Sequence, residues 1–318
     1  MKHSKQRGIA LLVAIVMFAI ATTVAAAVTY NKAMAARRAA ATFTLEQALQ
    51  AGMAAEALAG IVLENNASAQ RTQTNQDWAQ PVGPLEIEGT GVWIQAQLED
   101  LQGRFNLNSL VSWNPQLNDF AADQHQVEVF QRLLEEHDID QRYADLLTDW
   151  IDPDIAPLPQ GGEDTFYLSQ NPPYRPPNTF ITHTSELLAL PGFGAENFAK
   201  IAPFVTALPN DVPVNVCTAS GLVLDATRND PASRTEFSQQ DLKVPRENDC
   251  FPMLQAYLAG IGDANLRTIV TDRVADKSSW FRLRTHIRVG TAEFVLYSVL
   301  VRESDNRVRT VQRSFGSE

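Results

Sequence analysis

The twenty residues from Ile9 to Val28 constrain this chain more than any other segment. They contain no charged residue, no glycine and no proline, and only Thr22 and Thr23 are polar. As a helix they extend roughly 30 Å, the thickness of a bilayer's hydrocarbon core. Lys2, Lys5 and Arg7 precede them with no acidic residue between. That charge holds the N-terminal end in the cytoplasm and sends the following body outward. A cleavable secretory signal is the competing reading, with Ala25 to Ala27 as its small-residue cleavage site. Its apolar run would be shorter, however, and the helical pattern here continues past the span. No proline occurs before Pro81, and Leu45, Leu49, Met53, Ala57 and Ile61 recur at a spacing of four. The span therefore runs into a long amphipathic helix, whose outer half needs a sheet of its own and neighbouring helices to cover it.

A length of 318 residues suggests about two domains. The net charge of −11 is unevenly spread. Residues 99–211 hold eighteen Asp/Glu against five Lys/Arg, a local net of −13. Such a zone repels nucleic acid and anionic lipid, which need clustered cations. It can attract metal cations, or be a solvated acidic surface. Cys217 and Cys250 are the two cysteines. In an exported body they are candidates for a disulfide.

Residues 92–98 alternate apolar and polar, a half-buried strand, with Leu85–Glu88 as its hairpin partner across Gly89–Gly91. Phe281, Leu283, Ile287 and Val289 alternate with Arg282, Arg284, His286 and Arg288. Phe294–Val301 is more continuously apolar, as in an interior strand, and Arg307–Gln312 suits an edge with exposed arginines. Helical patterns fill the interval: one through Val127, Phe130, Leu133 and Leu134, one through Ala144, Leu147 and Ile151, one opening at Thr184, and one over Ala195–Val205. The fold class is α+β, with a large helical domain inserted between strands.

The strongest candidate for chemistry is an acidic loop. Asp149, Asp152, Asp154, Glu163 and Asp164 fall within sixteen residues free of Lys and Arg. Pro153, Pro157 and Pro159 forbid regular helix, and Gly161–Gly162 permits a sharp reversal. Converging carboxylates of irregular geometry suit Ca²⁺ better than Mg²⁺, although the spacing is not that of an EF-hand. A solvated turn with helix caps is the plainer alternative. Glu186 is either a distant ligand or a first-turn charge favoured by the helix dipole.

Other chemistry is weakly signalled. Leu190-Pro191-Gly192-Phe193-Gly194 resembles the hairpin of helix-hairpin-helix DNA-binding modules, but Glu196 and Lys200 follow it in an acidic region. It reads better as a packing device. Phe105–Leu110 and Val214–Ala219 echo each other in sequence. The five histidines have no metal-ligand spacing, and neither Gly-x-Ser-x-Gly nor a Walker loop occurs. A membrane-anchored hydrolase using Asp149 and Asp152 as paired carboxylates is the remaining enzymatic alternative.

The N-terminal arrangement resembles type IV pilins and the pseudopilins of type II secretion. Four further stretches narrow the resemblance: Asp100–Asn108 (DLQGRFNLN), Asp149–Asp154 (DWIDPD), Gly161–Asp164 (GGED) and Pro172–Asn178 (PPYRPPN). In this order they are similar to the GspK-type minor pseudopilins of the type II secretion system. The resemblance implies a pilin-like long N-terminal helix with an antiparallel sheet, and calcium in the helical domain. It implies residues 1–8 as a leader, 9–28 as the membrane part of the helix, 29–105 as pilin-like helix and first strands, 106–276 as the insertion, and 277–318 as closing strands. A prepilin peptidase would cut after Gly8 and leave Ile9 as a methylated N-terminus. Most such subunits carry Glu at the fifth mature position, where this chain has Val13. That Glu pairs with the N-terminus of the subunit ahead, so its absence implies a subunit at the filament tip. The implied partners are the I- and J-type minor pseudopilins, contacted along Leu45, Leu49 and Met53, and the major pseudopilin. Secreted cargo or the outer-membrane secretin could contact the tip. The implied location is the inner membrane with the body in the periplasm, and no catalysis is implied.

Overall fold

The computed structural model describes residues 7–231 and 234–316. Lys2, Lys5 and the other residues of 1–6 lie outside them. Helix α1 (Arg7–Asn65) is continuous for 59 residues, about 88 Å at the usual rise. Among the described residues it is the one helix long and apolar enough to cross a membrane. Strands β1 (Val82–Ile87) and β2 (Val92–Asp100) follow as a hairpin. The chain then enters the insertion: β3 (Phe105–Asn106), β4 (Val111–Asn114), β5 (Asp119–Ala122), α2 (Gln124–Glu135), α3 (Arg142–Ile151), α4 (Asp164–Leu168), α5 (Gly194–Ile201), β6 (Val205–Thr206), β7 (Val214–Asn215), α6 (Gly221–Arg228), α7 (Lys243–Arg246), α8 (Leu254–Ala259), α9 (Ala264–Thr271) and β8 (Val274–Ala275). Strands β9 (Trp280–Val289), β10 (Ala292–Arg302) and β11 (Val308–Phe315) close the chain.

The sheet has the order β1-β2-β9-β10-β11, and every neighbour pair is antiparallel. β2 therefore pairs with β9 across the whole insertion. Phe281, Leu283, Thr285 and Ile287 face α1, while Arg284, His286 and Arg288 face away, as the alternation requires. The long insertion keeps its own core, centred on Phe105, Phe130, Leu133, Leu147 and Tyr167. The core under the sheet is separate and includes Ala55, Leu63, Trp78, Phe281 and Leu296. A stretch that supplies its own core leaves the pairing of β2 with β9 intact.

The face of α1 that the sheet covers differs from the row read in the sequence. Ala48, Ala51, Ala55, Ala59 and Leu63 are buried beneath the strands. Leu45, Leu49, Met53 and Ile61 stay 44%, 36%, 48% and 54% exposed. The reason is steric. A Cβ added to Gly52 would lie 2.3 Å from Cδ2 of Leu296, so the sheet packs where the helix surface is smallest. The larger side chains are left exposed.

The echoed segments are structural equivalents. Phe105–Asn106 pairs in parallel with Val205–Thr206, and Val214–Asn215 pairs in parallel with Val274–Ala275. In each, the asparagine Oδ1 accepts from the backbone N–H two residues on, Asn108 at 3.2 Å and Cys217 at 2.9 Å. Cys217 forms a disulfide with Cys250.

Candidate metal centre and domain junction

α3 ends at Ile151, and Asp149 and Asp152 project from its last turn and C-cap. The proline-bearing loop returns so that Glu163 stands at the N-cap of α4. Asp149, Asp152 and Glu163 are buried, and each places one carboxylate oxygen within 4.8 Å of the others. Oxygen Oδ1 of Asp152 and Oε1 of Glu163 are buried without a hydrogen-bond partner among the described residues. Asp149 accepts from the N–H of Leu158 at 3.2 and 3.1 Å. Burial is the main cause that pushes all three carboxyls up, to about 6 for Asp149 and about 7 for Asp152 and Glu163. Repulsion from neighbouring carboxylates adds to it. Three converging carboxylates, two of which carry an orphaned buried oxygen, fit a divalent cation such as calcium, which would supply the missing counter-charge.

Of the other carboxylates in this region and beyond, Asp154 accepts from its own turn at the N–H of Ala156, 2.7 Å away. Asp164 pairs with Arg175 at 3.1 Å on the surface. Glu186 accepts from the N–H of Thr182 at 2.7 Å, four residues earlier in the chain. None of the three brings an oxygen within 4.8 Å of the group, although the charges of Asp154 and Asp164 are among those that push the cluster's carboxyls up. Gly161 and Gly162 serve close approach, since neither has a positive φ. A Cβ at Gly161 would sit 1.9 Å from Oδ2 of Asp149, and one at Gly162 2.5 Å from the Phe166 ring. The Leu190–Gly194 hairpin buries Leu190 and Phe193, with Phe193 edge-on to Tyr143 at 5.0 Å.

Sequence reading missed the junction between the two cores. At the end of β2, Asp100 Oδ2 accepts from Ser278 Oγ at 2.6 Å, Thr218 Oγ1 at 2.6 Å and Asn215 Nδ2 at 3.0 Å. The same Asn215 amide donates to the carbonyl of Thr72 at 2.9 Å. Full burial raises the Asp100 carboxyl above its ordinary range, against the lowering effect of these donors. No local pattern announces partners 115 and 178 residues away; the DLQG run was the nearest signal.

A family model described as type II secretion system (T2SS), protein K matches residues 103–210. The type II secretion system protein K of Klebsiella pneumoniae is 34% identical over 225 residues, covering 69% of this chain and 68% of its own. The chain belongs to the type II secretion system protein K family. The protein K of Pectobacterium carotovorum subsp. carotovorum is 29% identical over 327 residues, 99% of this chain and 98% of its own. The solved GspK-GspI-GspJ complex from enterotoxigenic Escherichia coli contains a chain of the same fold. That chain superposes with a TM-score of 0.74 at 23% identity, covering 88% of this chain and 100% of its own. As a protein K, the chain has the role of a minor pseudopilin, and the DNA-binding and hydrolase alternatives find no support.

Proposed function

We propose that this protein K caps the periplasmic tip of a type II secretion pseudopilus, as a structural and not a catalytic subunit, and helps to start its assembly. The observation that carries this reading is the uncovered apolar surface of α1. Leu45, Leu49 and Met53 remain open although the sheet covers the next face of the same helix. On the β1 side, a groove of about 280 Å³ is lined by Leu58, Ile61, Val82 and Leu85 among others. Long apolar helices of I- and J-type minor subunits are the complementary partners, and the chain in the solved complex assembles with proteins of those names. The apolar face is suited to a near-obligate contact.

A prepilin peptidase cleaves after Gly8, and Ile9 becomes the N-terminus in the inner membrane. Val13 offers no carboxylate to a subunit ahead, and the insertion is too large to sit beneath one in a tightly wound filament. The cation centre at Asp149, Asp152 and Glu163 holds calcium as a structural ion that fixes the α3–α4 loop. Export of folded cargo through the secretin is the process the tip supports. The test is labelling of intact pseudopili: one copy at the end is expected, and many copies along the shaft overturn the tip assignment. Mass spectrometry of the membrane form should find methylated Ile9; an N-terminus near Ala27 would overturn the cleavage after Gly8.

A further inference from the structure

The geometry points to the outer face of the sheet as a docking surface for an extended acidic segment of a partner protein. In a chain of net charge −11, residues 277–318 carry eight Lys/Arg against four Asp/Glu. Most of these cations are engaged. Arg313 binds Glu56, Arg309 pairs with Glu303 at 2.9 Å, Arg307 with Asp305 at 3.5 Å, and Arg282 with Glu99. The guanidinium of Arg302 donates to the carbonyls of Leu63 and Ser278. Arg284 and Arg288 are exposed, and among the described residues neither forms an ion pair. With exposed His286 between them they form one row on β9.

The surroundings of that row are neutral on the β2 side. Gln97 lies opposite Arg284, Gln95 opposite His286 and Trp93 opposite Arg288. On β10 the opposite residues are Tyr297, Val295 and Glu293, so one carboxylate faces the row. The Arg288 guanidinium lies over the Trp93 ring at 5.5 Å. Beside it a groove of about 470 Å³ runs over Gln95, His286 and Val295. Residues of one strand face are spaced about 6.8 Å apart, which is also the spacing of alternate side chains in an extended peptide. A strand with acidic residues at every second position therefore matches Arg284, His286 and Arg288 one for one. The sheet separates this face from α1, so assembly through the helix leaves it open.

The test uses the full chain in nanodiscs and a fluorescent peptide, acetyl-Glu-Ser-Glu-Ser-Glu-Ser-Glu amide. Anisotropy should report binding that weakens with salt, and the Trp93 emission should change on binding. The double variant Arg284→Ser, Arg288→Ser should bind about tenfold more weakly with unchanged thermal unfolding, while Arg307→Ser should bind like wild type. Absence of binding at low salt overturns the inference, as does undiminished binding by the double variant. Equal binding of the same composition in the order Glu-Glu-Glu-Glu-Ser-Ser-Ser overturns it too, because spacing would then be irrelevant. Tighter binding of a heparin fragment than of the peptide would also overturn it, marking the face as a polysaccharide site.

Discussion

Glu56 on α1 clamps Arg313 on the last strand. The guanidinium donates from Nε to Oε1 at 2.8 Å and from Nη2 to Oε2 at 2.6 Å. Ser298 Oγ and Thr310 Oγ1 donate to the same carboxylate at 2.6 and 3.0 Å. Four donors on two strands thus fix the helix to the edge of the sheet. Burial alone would raise this carboxyl; the bonds from Arg313, Ser298 and Thr310 outweigh it and hold it below its ordinary value.

The sign of the pH dependence follows. A carboxyl depressed in the folded state contributes its stability above the unfolded value, near 4.5, and loses it as pH falls through the folded value. Thermal unfolding below pH 4.5 should therefore destabilise wild type more than Glu56→Gln. At neutral pH, Arg313→Ala should cost about 1–3 kcal/mol by leaving a buried carboxylate short of its cation.

Gly52→Val tests which helix face the sheet occupies. The new Cβ would press on Leu296, and overpacking of this kind costs about 1–3 kcal/mol. Leu49→Glu should leave the unfolding of the isolated chain within about 0.5 kcal/mol, because that side chain is partly exposed. It should reduce co-purification with the other minor subunits. The two variants separate folding from assembly.

Chelation addresses the metal centre. With calcium at about a hundred times its dissociation constant, binding contributes roughly 2.7 kcal/mol. The melting temperature should fall in chelator and recover on adding calcium. Asp152→Asn should melt alike under both conditions. Identical wild-type melting with and without chelator would count against the site.

Reduction of the Cys217–Cys250 bridge opens a loop with a sequence separation of 33. By chain entropy this should cost about 3–4 kcal/mol. Differential scanning calorimetry of the Cys217→Ser, Cys250→Ser variant checks it; the loss should fall on the insertion, whose core both cysteines join.

Local periodicity by itself determined the long helix, the hairpin of β1 and β2, the alternating arginines of β9 and the acidic loop, because each is a repeat of 3.6 or 2 residues or a dense run of one charge. It also placed Asp149, Asp152 and Glu163 in one candidate group. Only the tertiary structure separated these three from Asp154, Asp164 and Glu186, since convergence depends on where the loop returns. It alone decided that alanines and Gly52, not Leu45, Leu49 and Met53, lie under the sheet. A helical wheel ranks faces by hydrophobicity, but the approach of a sheet is limited by side-chain size. The Asp100–Asn215–Ser278 junction and the Glu56–Arg313 clamp join residues more than sixty positions apart. Such polar contacts follow from chain topology, and no short window of sequence contains both partners.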